Sequence, residues 1–288
     1  RGIVSPIDTA PLSIVGIFDG LKVYGTVLEL VEATVADILA FRPDAVVLVD
    51  SWGFMVRVAE RVRARAPQIK LIKLVGPQVW ATRAGRAKKM AQKVDHMIAI
   101  HAMEAPYYEP HGLPVTIMGN PALQRAGKGD GQRYRAAHAI GADEDVLLVL
   151  PGSRGSELRR VAPVLVEAAA KIKAGRPGTR VIFAPAKPIR EGFLAAFPDI
   201  GAIGEVADEA DNQADLMSAA TLALACSGTV TSELAVQGTP FLVGYKAGWM
   251  TWAVARYFLY KPTHITLLNI AADDTEIAPE FVQTAFKP

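Results

Sequence analysis

The stretch Val146 to Arg160, VLLVLPGSRGSELRR, passes from an uncharged apolar run through a turn of small residues into a charged segment. It reads as strand, loop, helix. The chemistry lies in the turn. Gly152 lets the backbone come close to a ligand, Ser153 supplies a hydroxyl, and Arg154 offers a planar fork matched to phosphate oxygens. A helix starting near Ser156 would aim unpaired amides at the same spot. A plain βα turn with a solvated arginine has the same sequence, so this loop alone leaves both readings open. A second turn, Ser227-Gly228-Thr229, repeats the pattern of small residues and hydroxyls at a strand end. Helix capping by Ser227 or Thr229 would explain the hydroxyls equally well. Glu233 adds to the case, because a carboxylate placed there can accept hydrogen bonds from a pair of ribose hydroxyls. One loop for phosphate and one glutamate for ribose make a nucleotide site.

These loops require strands to carry them. In the first half, Val23 to Phe41 has apolar residues at helical spacing and stops at Arg42-Pro43, where proline bars continuation. Ala45 to Val49 reads as a buried strand that delivers Asp50 to the carboxyl end of a sheet, where open α/β folds bind ligands. Phe54 to Ala66 reads as a helix, and Ile69 to Val75, Met97 to Ile100 and Val115 to Met118 as strands. The basic run Arg83, Arg86, Lys88, Lys89 reads as a solvated helix face. Gln124 to Gln132 carries three glycines among charged residues and reads as a linker. Beyond it, strands are expected at Val146 to Leu150, Val181 to Ala184, Ala202 to Val206, Leu222 to Ala225 and Phe241 to Gly244. Helices Glu157 to Ala174, Ile189 to Phe197 and Asn212 to Ala219 alternate with them. The expected fold class is α/β, two doubly wound Rossmann-like domains facing across a cleft. Their boundaries are 1–123, a linker 124–132, and 133–288.

Composition sets limits on function. The 288 residues suffice for two cores, and a net charge of +2 gives no reason to invoke nucleic acid. The single cysteine, Cys226, excludes an internal disulfide and a cysteine-rich zinc site and reads as a packed small residue. His96, His101, His111, His138 and His264 show no metal-ligand spacing, so no metal is assigned. The most apolar stretch, Phe241 to Tyr260, is broken by Lys246 and Arg256 and fails as a membrane span.

Read together, LPGSRGSE before Leu158, ACSGTVTSE ending at Glu233, FLVGY at 241–245, HITLLN at 264–269 and APEFVQ at 278–283 resemble the lipid-A-disaccharide synthase family. So do VVLVDSWGF around Asp50, VGPQVWATRAGRAKKMAQKVD at 75–95 and IMGNP at 117–121. The family is an inverting glycosyltransferase group of GT-B fold, and the likeness covers nearly the whole chain. It implies transfer of a 2,3-diacylglucosamine unit from its UDP donor to 2,3-diacylglucosamine 1-phosphate, giving the β(1→6) disaccharide and UDP without cofactor or metal. It implies Asp50 as the general base, Gly152, Ser153 and Arg154 at the diphosphate, Ser227, Gly228, Thr229 and Glu233 at the nucleotide, and Asn269 on the donor side. The N-terminal domain becomes the acceptor side and the C-terminal domain the UDP-sugar side.

Trp52, His101 and Asn120 depart from the usual family pattern. The family's opening strand and closing helices have no counterpart here, so weak or no turnover is expected of the 288 residues alone. Lipid substrates imply a peripheral enzyme on the cytoplasmic face of the inner membrane, and a homodimer stays open. Trp249, Met250, Trp252, Ala253, Arg256, Tyr257 and Phe258 form either a membrane contact or a core helix, and Pro11 to Leu21 is a second apolar candidate. The alternatives are another UDP-sugar enzyme of the same fold, such as a 2-epimerase or a soluble-acceptor transferase, and a catalytically dead nucleotide-binding fragment.

Overall fold

A computed structural model describes Ile7, residues 24–254, Tyr260 and residues 262–288. The stretch 11–21, named above as an apolar candidate, lies outside the described residues, as do Arg256, Tyr257 and Phe258. The chain divides into two compact units between Asn120 and Pro121.

The first unit holds α1 (Tyr24–Phe41), β1 (Ala45–Val49), α2 (Trp52–Arg65), β2 (Lys70–Leu74), α3 (Gly85–Ala91), β3 (His96–Ala99), α4 (Ala105–Tyr108) and β4 (Val115–Ile117). The four strands are parallel, in the order β1-β2-β3-β4. Residues in register share a face, so Leu48, Lys73 and Met97 line up on one side. Leu48, Leu71, Met97 and Ala99 on that side pack with Val31 and Val35 of α1, Phe54, Val58 and Val62 of α2, and Tyr108 of α4. The expectation that Ala45 to Val49 is buried throughout is corrected here. As the outermost strand among the described residues, β1 buries Leu48 but leaves Val47 and Val49 about half exposed. Most cations on the helices are matched. Arg61 and Arg65 meet Glu32, Arg63 meets Asp95 at 2.6 Å, and Lys89 and Lys93 share Glu60.

The second unit begins with α5 (Pro121–Ala126) and α6 (Gly131–Ala137). The glycine-rich segment between them is tied to this unit. Gly129 N donates to Gln237 Oε1 and Asp130 N to Asp215 Oδ1, each at 2.7 Å. Next come β5 (Val146–Leu150), α7 (Gly155–Arg160), α8 (Ala162–Gly175), β6 (Arg180–Phe183), α9 (Arg190–Ala196) and β7 (Glu205–Val206). After these follow α10 (Gln213–Ala219), β8 (Leu222–Cys226), α11 (Thr229–Gln237), β9 (Phe241–Tyr245), α12 (Trp249–Val254), α13 (Leu267–Ala271) and β10 (Glu280–Val282). The six strands are parallel in the order β10-β9-β8-β5-β6-β7.

Two expectations change, and one strand is added. The helix from Glu157 to Ala174 is two, because the ring of Pro163 cannot sit one turn above Arg159 in a continuous helix, and the chain restarts at Ala162. The strand at 202–206 shrinks to Glu205–Val206 behind a 3₁₀ turn at Ile200–Ala202. β10 is the added strand, and its three residues carry too little apolar pattern to declare a strand from sequence.

β5 explains its own sequence. All five of its residues are buried. Val146, Leu148 and Leu150 join the core on one face with Leu216, Met217 and Leu234, while Leu147 and Val149 join the core on the other with Val161, Leu165 and Phe193. A parallel strand covered on both faces reads as an unbroken apolar run. The two faces also show how the chain winds. The helices after β5 pack on one face, and the helix after β8 packs on the other.

Candidate functional site

The winding reverses between β5 and β8, which are neighbours in the sheet although the chain runs β5, β6, β7 in one direction before returning to β8. Connections leaving these two strands diverge to opposite faces, and the gap between them at the carboxyl ends is where such sheets bind ligands. A cavity of about 220 Å³ lies there. Gly152, Ser153 and Arg154 from the first loop line it, and so do Ser227, Gly228, Thr229 and Glu233 from the second.

Glu157 organises the first loop, and it was not singled out from the sequence. Its buried carboxylate accepts from Ser153 N at 2.7 Å and Arg154 N at 3.1 Å through Oε2, and meets Arg154 Nη1 at 3.0 Å through Oε1. The amides of Ser153 and Arg154 therefore bond within the protein, while both residues line the cavity. The Arg154 side chain is 75% exposed. The signal was present, because a glutamate three residues beyond the residue that opens a helix is the capping-box spacing. Gly152 has φ +110, a region that favours glycine.

The second loop differs. Ser227 and Thr229 do not cap α11. Gly228 stands at the cap position in an extended conformation without a side-chain cap, and Thr231 Oγ1 donates to Gly228 O at 2.8 Å. The helix end with its positive dipole thus borders the cavity, and Glu233 follows one turn in. Cys226 is buried, and burial raises its thiol to about 12, with the Glu157 carboxylate adding to the effect. It is a neutral wall atom. Gln213, at the start of α10, also lines the cavity and carried no signal in the sequence.

Asn269 is not brought to this cavity. It is fully buried, with Nδ2 donating to Ala278 O and Glu280 Oε1, and Oδ1 accepting from Ile277 N and Ala278 N. The arrangement pins α13 to the segment that leads into β10.

Asp50 belongs to the first unit and stands exposed at the carboxyl end of β1, with its amide donating to Leu74 O at 2.9 Å. Its backbone is left-handed, φ +44, as is that of Ser51, φ +40, which precedes α2. Trp52 packs against the core and carries the Arg86 guanidinium 5.6 Å above its ring, so this departure from the family pattern has a packing role. Of the apolar stretch near 250, Trp249 is 69% exposed while Trp252 and Ala253 are half-buried. Among the described residues, no helix is long and apolar enough to cross a membrane, and no three His, Cys, Asp or Glu side chains are grouped to hold a metal ion.

Comparison with known proteins adds identity to this geometry. A putative UDP-N-acetylglucosamine 2-epimerase from Listeria monocytogenes superposes with a TM-score of 0.52 at 17% identity, over 75% of this chain and 61% of that one. Likeness at that level shows the fold, two parallel-sheet α/β units of GT-B type. The lipid-A-disaccharide synthase of Rhodospirillum centenum is 35% identical over 295 residues, covering 100% of this chain and 72% of the relative. That of Ruegeria pomeroyi is 35% identical over 298 residues, covering 100% and 73%. The family model described as lipid-A-disaccharide synthetase matches residues 1–288 from end to end. With more than a third of its residues shared with each of these relatives, the chain belongs to the lipid-A-disaccharide synthetase family.

Proposed function

We propose that the chain carries the transferase chemistry of its family. It moves a 2,3-diacylglucosamine unit from UDP to the primary hydroxyl of 2,3-diacylglucosamine 1-phosphate and forms a β(1→6) bond. The observation that carries this reading is the convergence of the Gly152-Ser153-Arg154 and Ser227-Gly228-Thr229 loops on one cavity at the switch point between β5 and β8. Arg154 holds the diphosphate and takes up the charge that grows on the leaving oxygen. The α11 N-terminus adds a positive field, and Glu233 accepts from the ribose hydroxyls. Asp50 takes the proton of the acceptor hydroxyl as its oxygen attacks the anomeric carbon and UDP departs. Asn269 fixes the segment before β10 and so serves the stability of this unit rather than the donor cavity. The 1–123 portion serves the acceptor and the 133–288 portion the UDP-sugar. The lipid substrates place the enzyme peripherally on the cytoplasmic face of the inner membrane.

The test is transfer by the native enzyme that contains this chain. Asp50→Asn is expected to cut disaccharide formation by about 10²–10⁴, the contribution of a positioned general base, while calorimetry finds UDP bound as before. Transfer at the wild-type rate removes Asp50 as the base, and absence of UDP binding to the unaltered protein removes the reading altogether.

A further inference from the structure

The corner that presents Asp50 is built on a buried cation. Lys73 is 1% exposed, and its Nζ donates to Leu48 O at 3.1 Å, to Leu74 O at 3.3 Å and to Asp50 O. An ammonium has three hydrogens and no lone pair, so all three of its donors go to carbonyls at the ends of two neighbouring strands. Lys73 shares its face of the sheet with Leu48 and Met97, both buried and apolar. Packing alone asks for an aliphatic residue there, and a buried charge without a bonded carboxylate costs several kcal/mol. Something must offset that cost.

The backbone around it is what needs holding. Asp50 (φ +44), Ser51 (φ +40) and Val75 (φ +61) are all left-handed, two of them consecutive and one β-branched. Such conformations cost about 1–3 kcal/mol each and persist where the surroundings over-determine them. The two turns they form are the exits of β1 and β2, and Lys73 bonds to a carbonyl beside each. We infer that Lys73 is the positioning residue of the proposed base, its ammonium clamping the carbonyls of Leu48, Asp50 and Leu74 so that the left-handed corner points the Asp50 carboxylate outward. Its charge also attracts that carboxylate. The inference rests on Asp50 being the base.

The experiment compares Lys73→Met, Lys73→Gln, Lys73→Arg, Asp50→Asn and the double variant Lys73→Met/Asp50→Asn in the native enzyme. The variants are first checked for fold by far-ultraviolet circular dichroism. Lys73→Met is expected to lower kcat about 100-fold, the scale of a misplaced reacting group, with KM for the UDP donor within about twofold. Lys73→Arg, which keeps charge and donors, should recover most of the rate. A residue acting through Asp50 adds nothing once Asp50 is gone, so the double variant should match Asp50→Asn. Wild-type kcat in whichever of Lys73→Met and Lys73→Gln folds, or losses that multiply in the double variant, would overturn the inference. A strongly slowed Asp50→Asn beside a fully active Lys73 variant sinks the role of Lys73 alone, whereas an Asp50→Asn of wild-type rate sinks the reading beneath it.

Discussion

Glu157 stands so close to Gly152 that a Cβ built on the glycine would lie 2.6 Å from Oε2 and 2.8 Å from the glutamate Cβ. The carboxylate that meets this imaginary methyl group is the one that holds the amides of Ser153 and Arg154. Gly152→Ala therefore has two costs, displacement of Glu157 and a left-handed φ forced on a residue with a side chain. The backbone part alone is about 1–3 kcal/mol. The expected result is a lower melting temperature and UDP affinity down at least about tenfold, since a shift of 1.4 kcal/mol suffices for that. Calorimetric titration with UDP checks it, and unchanged affinity would mean that the loop binds nothing.

Arg154 separates binding from folding. Its side chain is three-quarters exposed, so its pairing with Glu157 contributes little to stability. A charged hydrogen bond to a diphosphate in a partly enclosed cavity is another matter, worth about 1.5–3 kcal/mol. Arg154→Ala should thus lower the melting temperature only slightly, since the Glu157 carboxylate keeps the backbone amides at 153 and 154, and weaken UDP by that amount. Arg154→Lys, which keeps a charge but loses the fork, should fall between. Equal UDP affinity for all three proteins would take the diphosphate away from this loop.

The sequence spoke most clearly where one local rule and the tertiary environment agree. β5 is an unbroken apolar run because both faces of its sheet are covered, and its loop is readable because small residues must follow such a strand at a binding edge. Glu157 was legible only as a capping spacing, and the step from cap to loop organiser needs the fold. Asn269 carries the same letter whether it touches a ligand or pins two segments together, and only the position of its neighbours decides. Lys73 sat unremarked inside an alternating strand. Its burial follows from the register with Leu48 and Met97, which pattern alone does not give.

Asn269 is accordingly expected to act on stability. Truncation in Asn269→Ala strips partners from two backbone amides, one carbonyl and the Glu280 carboxylate. Glu280 keeps Thr266 N and Oγ1, but each buried backbone group left unpaired costs about 1–3 kcal/mol, so the second unit should lose about 2 kcal/mol or more of unfolding free energy in urea. UDP affinity measured well below the transition should change little. A large loss of affinity in a protein of unchanged stability would return Asn269 to the donor site.

Lys73 gives a pH dependence of unusual sign. Burial lowers its ammonium from the ordinary 10.5 to about 8, the Asp50 charge working the other way. Below about 8 the folded and unfolded chains both hold the proton, and Lys73 adds no slope. Between about 8 and 10.5 the unfolded chain holds a proton that the folded one has released, so by linkage stability rises with pH across that window. The corner itself responds in the opposite sense, because a neutral amine has two N–H groups for the three carbonyls of Leu48, Asp50 and Leu74. Unfolding midpoints of the unaltered chain minus those of Lys73→Met, taken from about pH 7 to about pH 10, isolate this one proton from all others. The difference should climb above about pH 8, while amide exchange at Asp50 to Phe54, corrected for intrinsic pH dependence, accelerates. A flat difference curve would mean that the three carbonyls hold the ammonium as firmly as water does.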